Sequence, residues 1–190
     1  MAQATVRTYT TRRFTVEEYH KLAEVGILSE DDRVELIEGE IIVNSPIGSK
    51  HAACVKRLNA VFSSRVKDQA IVSVQDSIRL GEHSEPQPDL ALLKPRPDFY
   101  AEEHPKPEDV LLVVEVAETS SEYDRHVKIP LYARHGIPEV WLIDLSKGRL
   151  TAFRKPQRGA YARIEETKKG DRIAPEALPD VVIPLEELLT

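Results

Sequence analysis

Leu90-Ala91-Leu92-Leu93, Val110-Leu111-Leu112-Val113-Val114-Glu115-Val116 and Val140-Trp141-Leu142-Ile143 are short, nearly unbroken apolar runs. Runs of this kind are typical of strands covered on both faces, so they predict the middle of a sheet with other layers against it. Between the first two, Pro95, Pro97, Pro105 and Pro107 punctuate a polar stretch. It is too rich in proline for a core element, and the strands flanking it look central to one sheet. A surface excursion is expected there, not a linker between domains.

Other elements surround these strands. Thr15-Val16-Glu17-Glu18 has the form of a capping box, and Val16, Tyr19, Leu22 and Ala23 follow at helical spacing, with Gly26 as the exit. Residues 33–38 and 40–44 flank Gly39 and predict a hairpin. Ala52, Val55, Leu58, Phe62 and Val66 mark a second amphipathic helix. Val72, Val74, Ile78 and Leu80 suggest one long strand with an irregularity near Asp76. A helix is expected between Ser121 and His135, ending at Gly136. Because Pro130 belongs in a first turn, a start near Lys128 or Ile129 is the alternative. Residues 149–154 and 161–166 predict a hairpin turning at Arg158-Gly159, and 185–189 a short closing helix. The fold class expected is α/β (α+β), a mixed sheet flanked by helices, with an N-terminal helix and antiparallel hairpin additions.

The chain has 190 residues, 41% hydrophobic and 31% charged, which fits one soluble domain and excludes a mainly disordered protein. The expected division is a flexible N-terminus at 1–13 and a single domain at 14–190. Residues 1–13 lack the apolar core of a secretory signal and are short for a transit peptide. The 26 basic and 32 acidic residues give a formal charge of −6, which argues against coating nucleic acid by bulk charge but not against a local basic groove. No apolar run has the length of a membrane span. Cys54, the single cysteine, excludes an intrachain disulfide and a cysteine-rich zinc site, and a cytoplasmic location is expected.

Two acids interrupt apolar surroundings: Asp89, entering the Leu90–Leu93 strand, and Glu115, within Val113–Ala117. An ionised carboxylate there is costly unless it is paired or bound to a cation. Two on neighbouring strands would repel, a conflict that a hard divalent ion such as Mg2+ removes. The alternative is that each pairs with an arginine or caps a turn. Lys50, Lys56, Arg57, Arg65 and Lys67 gather on or near the second helix, either as a groove for a phosphate backbone or as a solvated face.

Pro88-Asp89, Glu115-Val116-Ala117 and Asp124-x-x-x-Lys128 form an ordered series that resembles the PD-(D/E)XK nuclease superfamily. More closely, the chain is similar to the Uma family of restriction endonucleases, a bacterial group. The segments that carry this likeness are Arg33-Val34-Glu35-Leu36-Ile37-Glu38-Gly39-Glu40, His51, Pro88-Asp89-Leu90-Ala91, 113–121, Lys128-x-x-x-Tyr132 and 136–144, within residues 15–155. The resemblance implies a restriction-endonuclease-like core and a Mg2+-dependent (or Mn2+-dependent) endonuclease hydrolysing DNA phosphodiesters. Asp89, Glu115 and the Val116 carbonyl would hold the ion. The superfamily's usual lysine position is Ala117 here, and the resemblance points to Lys128 instead, placed on a helix where Asp124 would pair with it four residues earlier. Glu35 is implied as a further ligand or water-binding acid, against an outward-facing strand carboxylate. His51, with Lys50, Lys56 and Arg57, is a candidate for contacting nucleic acid, against a cap or packing role. Glu38 and Glu40 look like turn-flanking charges, Trp141 and Cys54 like core residues, and Asp144 like a structural acid.

A homodimer is expected from the resemblance and from the frequency of two-fold assemblies. The rival to catalysis is an inactive nuclease-fold protein, dimeric, with a binding or regulatory role; Ala117 and the negative net charge favour it. A small-substrate hydrolase using an acidic pair, such as a glycosidase, ranks last, since no sugar-stacking aromatic cluster surrounds the two acids.

Overall fold

The computed structural model describes residues 10–29, 31–118, 120–168 and 170–189, the side chain of Ser121 excepted. The expected flexible terminus falls largely on residues 1–9, outside the described residues. Arg12 and Arg13 are described, and they pair with Glu18 and Glu40.

Helix α1 (Val16–Glu24) begins at the expected capping box, with the Thr15 hydroxyl accepting from the Glu18 N–H and the Glu18 carboxylate accepting from the Thr15 N–H. Strands β1 (Val34–Ile37) and β2 (Glu40–Val43) form the expected hairpin, turning through Glu38 at φ 49° and Gly39 at φ 81°. Two consecutive left-handed residues suit a tight hairpin turn. A side chain at Gly39 would also run into Arg13.

Helix α2 (Ser49–Val66) buries Cys54, Val55, Leu58, Phe62 and Val66, the face its periodicity predicts. After a 3-10 turn (Lys67–Gln69) come β3 (Ile71–Ser73), β4 (Leu90–Leu93), a 3-10 turn (Pro107–Asp109) and β5 (Val110–Ala117). A continuous helical stretch then runs through α3 (Ser121–Tyr123), a π-helical segment (Asp124–Lys128) and α4 (Ile129–Arg134). It is followed by β6 (Glu139–Asp144), β7 (Arg149–Gln157), β8 (Ala160–Glu166), the short pair β9 (Arg172–Ile173) and β10 (Ile183–Pro184), and α5 (Glu186–Leu189).

Among the described residues, β3-β4-β5-β6-β7-β8 make a six-stranded sheet in that order. Its neighbours are antiparallel except β5 and β6, which are parallel. A parallel pair needs a long crossover, and the helical stretch 121–134 supplies it. Alternate residues of each central strand face opposite layers. Leu90, Leu92, Leu112, Val114, Trp141 and Ile143 pack with α2 and the C-terminal segment, whereas Ala91, Leu93, Val113, Val140 and Leu142 pack with Leu131 and Tyr132 of α4. The three apolar runs are therefore covered on both faces, as expected.

Two sequence expectations need correction. The strand foreseen from Val72 to Leu80 ends at Ser73. Gln75 takes φ 56°, and Ile78 and Leu80 turn their N–H groups to Pro86 and Ser84 in a local excursion. Both are buried on the α4 side of the sheet, so the alternation was real but belongs to a bend, not to the ladder. The alternative start near Lys128 also fails: the helix begins at Ser121 and passes through Pro130. A proline in a helix removes a donor and crowds the preceding turn, and a wider π-helical turn sits immediately before it. Ile129 N–H reaches back five residues to the Asp124 carbonyl.

Candidate active site

Register brings the two interrupting acids together. Leu90 pairs with Val114, so one antiparallel step further sets Asp89 beside Glu115 at the open end of β4. Val116 N–H donates to Asp89 Oδ2 at 2.9 Å. The N–H and C=O of one strand residue point to the same edge, so the Val116 carbonyl faces the Asp89 side as well. Glu115 shares its strand face with Val113 and Ala117, the face on which the helical stretch packs.

Lys128 descends from that stretch. Its Nζ lies 2.9 Å from Glu115 Oε1 and 3.2 Å from Glu35 Oε2. The Tyr132 hydroxyl donates to Glu115 Oε1 at 2.6 Å. Glu35 arrives from β1, held by the Gln87 N–H at 3.1 Å and by a bridge between Leu36 and Glu85. It is 1% exposed, so it is no outward-facing strand carboxylate; every residue of β1 is buried. His51, at the start of α2, sets Nε2 3.0 Å from Asp89 Oδ2, and the Gln75 amide donates to Asp89 Oδ1 at 3.3 Å.

The expected pairing of Asp124 with Lys128 is replaced. Lys128 is only 5% exposed and its direct partners are Glu115 and Glu35, whereas Asp124 accepts from the Ser120 hydroxyl at 2.8 Å. The π-helical segment changes the angle between positions 124 and 128, so the four-residue rule of an α-helix does not govern them.

Apart from the fully buried Tyr132, these groups line a cleft of about 700 Å3 that also includes Arg33, Glu118 and Tyr123. Burial pushes the Glu115 carboxyl up to about 8, despite the Lys128 charge beside it. Burial likewise raises the Asp124 carboxyl, and lifts the Tyr123 hydroxyl to about 12. For Lys128 burial works against the charge, but Glu115 and Glu35 outweigh it and hold the ammonium protonated. The hydrogen bond to Asp89 raises the His51 imidazole, against its burial.

The donor set fits a hard divalent cation. Glu35, Asp89, Glu115, Glu118 and Asp124 face three basic groups, Arg33, His51 and Lys128, in one cleft. That excess of carboxylate is what such an ion neutralises, and carboxylate oxygen is its preferred ligand. The buried His51 Nδ1 and Tyr123 hydroxyl have no hydrogen-bond partner among the described residues, which marks a cleft shaped for a polar occupant.

Among the described residues the remaining candidates do not meet at this cleft. Lys50 and Lys56 are exposed on α2, Arg57 is half-buried, and none of the three lines it. Arg65 instead binds Glu187 and the Val182 carbonyl, tying α2 to the C-terminal segment. Tyr132 was quoted in the resemblance without a role, though its place one helical turn after Lys128 signals a shared face. Gln75 and Gln87 gave no signal, because loop backbone places them. Glu38 and Glu40 are exposed beside the turn, and Trp141 and Cys54 are core residues, all as expected.

A family model described as "Uma2: Putative restriction endonuclease" matches residues 16–186. The chain belongs to the Uma2 family. A solved structure, described as a "putative nuclease belonging to DUF820" from Anabaena variabilis ATCC 29413, superposes with a TM-score of 0.71 at 20% identity, covering 93% of this chain and 97% of that one. At that identity the likeness is one of fold: the mixed sheet flanked by helices is common to both. No curated protein shows significant similarity to the chain. In this Uma2 chain, no helix among the described residues is long and apolar enough to cross a membrane.

Proposed function

We propose that this Uma2 protein is a divalent-metal-dependent endonuclease acting on DNA, with Mg2+ as its ion and Mn2+ as a substitute. The observation that carries this reading is the position of Lys128 Nζ, in contact with both Glu115 and Glu35, in the cleft that also holds Asp89. Asp89, Glu115 and the Val116 carbonyl would hold the ion, with Glu35 as a further acid. When bound, a divalent cation polarises a phosphate oxygen and lowers the pKa of a coordinated water.

The chain's own residues supply the rest. Lys128, held protonated, offsets negative charge developing on the phosphoryl group, a role that depends on where the charge stands and not on which element carries it. Tyr132 and Glu35 fix the ends of its reach through Glu115 and directly. His51 orients Asp89 and presents a ring edge to the cleft. Lys50, Lys56 and Arg57 on α2 contribute positive charge for the phosphate backbone. The lysine missing at Ala117 favoured an inactive binding protein from the sequence, and the ammonium delivered by Lys128 supports activity instead.

Cleavage of plasmid and oligonucleotide DNA with Mg2+ or Mn2+ tests the proposal. Wild type should cut and Asp89→Asn should not; equal residual activity in both would remove the enzyme assignment. The active species is proposed as a cytoplasmic homodimer, two clefts facing two strands of one duplex. A monomeric mass by light scattering across a concentration series would remove that part alone.

A further inference from the structure

A second cluster of metal-ligand type lies outside this cleft and has no part in the proposed nuclease chemistry. His20 of α1, Glu85 of the 83–88 loop and His104 of the proline-rich excursion bring one donor atom each to within 4.8 Å of one another. They line a separate depression of about 370 Å3, with Tyr100 and Arg79 at its wall. His20 Nε2 lies 2.8 Å from Glu85 Oε1, and the His20 and His104 rings meet edge to face with centroids 6.1 Å apart.

Glu85 distinguishes this group from a chance gathering of surface side chains. The residue is 2% exposed, and its Oε2 is buried without any hydrogen-bond partner among the described residues. A buried carboxylate oxygen with nothing to accept from is costly, and a bound cation is one of the few things that satisfies it. The nearby positive charge is directed elsewhere, since Arg79 pairs with Glu17 and donates to the Gly81 carbonyl. Glu102 adds negative charge at the rim, where Glu103 is already paired with Lys106 and Arg96.

We propose that His20, Glu85 and His104 form a binding site for a borderline divalent transition-metal ion of the zinc type. Two imidazoles with one carboxylate are the ligand set of zinc, cobalt or nickel, whereas an all-oxygen set suits Mg2+. At zinc–ligand bonds of about 2.0–2.1 Å, neighbouring donors stand roughly 3.3 Å apart. The His20–Glu85 contact opens slightly to reach that spacing, and the exposed His104 ring swings inward. Three protein ligands leave a fourth position for water.

The three ligands come from segments that lie outside the six-stranded sheet: the N-terminal helix, the loop bridging to β1, and the 94–109 excursion. The ion therefore fastens an N-terminal helix and a proline-rich loop onto one buried acid. The structural benefit is the ordering of the excursion, whose own regular structure is limited to the 3-10 turn Pro107–Asp109.

Calorimetric titration of Zn2+ into the EDTA-stripped, dialysed full chain tests this site separately from the nuclease cleft. With Mg2+ in excess to fill the carboxylate cleft, wild type is expected to take up one tight equivalent of Zn2+. His104→Ala, at an exposed position and with an unchanged circular dichroism spectrum required as the control, is expected to lose more than ~10-fold in affinity. Asp89→Asn is expected to bind Zn2+ as wild type does, so failure of the nuclease reading leaves this site untouched. Co2+ in place of Zn2+ should give a visible absorption band in wild type and not in His20→Gln. Absence of Zn2+ uptake by wild type, unchanged uptake by His104→Ala, or uptake that disappears with Asp89 and not with His104 would overturn the proposal.

Discussion

Lys128 joins stability and chemistry in one side chain. It is the direct counter-charge of Glu115 and Glu35, both almost wholly buried. Removing one partner of a buried ion pair leaves uncompensated charge and costs about 3–5 kcal/mol. Lys128→Met is therefore expected to lower unfolding stability by about 3 kcal/mol in urea denaturation with chelator present. The same change should lower DNA cleavage by roughly 100-fold or more. A stable but inactive variant would show that the ammonium serves the reaction and not the fold. Cys54 gives a separate check. Its thiol is buried against the Leu188 carbonyl, and burial pushes it up to about 11. The folded state keeps the thiol proton longer than the unfolded chain does, so stability falls as pH rises from the ordinary 9.0 through about 11. Cys54→Ala should show a flatter stability profile over that window, and thiol reagents at pH 8 should label wild type only after unfolding.

Elements place these residues, and the devices that shape them are testable in the same terms. The β1–β2 hairpin presents Glu35, and its turn depends on Gly39, where φ is positive and Arg13 leaves no room for a side chain. Gly39→Ala is expected to destabilise by about 1–3 kcal/mol by thermal or urea unfolding. Within the six-stranded sheet, Arg154 of β7 binds Glu139 of β6 at 2.7 Å and the Ala174 carbonyl at 3.0 Å, joining the sheet to the C-terminal segment. Glu139 also accepts from Trp141 Nε1 and the Glu176 N–H, both at 2.6 Å. Hairpins, capped helices and strand runs were legible because period, capping residues and turn glycines are local signals. The strand that stops at Ser73 and the π-helical segment were not. A bend whose alternate side chains are buried has the same period as a strand, and a wider helical turn has no residue code of its own.

At the scale of the whole molecule, the central sheet carries the fold and one open end of it carries the proposed chemistry. Any ligand that binds the native state alone raises its stability by mass action. If Mg2+ occupies the Asp89–Glu115 cleft, thermal unfolding should move to higher temperature as Mg2+ increases, and Asp89→Asn should abolish that shift. A melting curve unchanged by Mg2+ in wild type would count against the ion's place there. What the chain by itself determined is the set of buried strands, the acids set among them and the order of the series from Asp89 to Lys128, because burial cost and periodicity are written residue by residue. The cleft's membership was decided only in three dimensions. Register set Asp89 beside Glu115, the crossover helix brought Lys128 down onto them, and β1 delivered Glu35. The second group, His20 with Glu85 and His104, left no local pattern at all. Its members are far apart in sequence, and only the packing of loop against helix makes them neighbours.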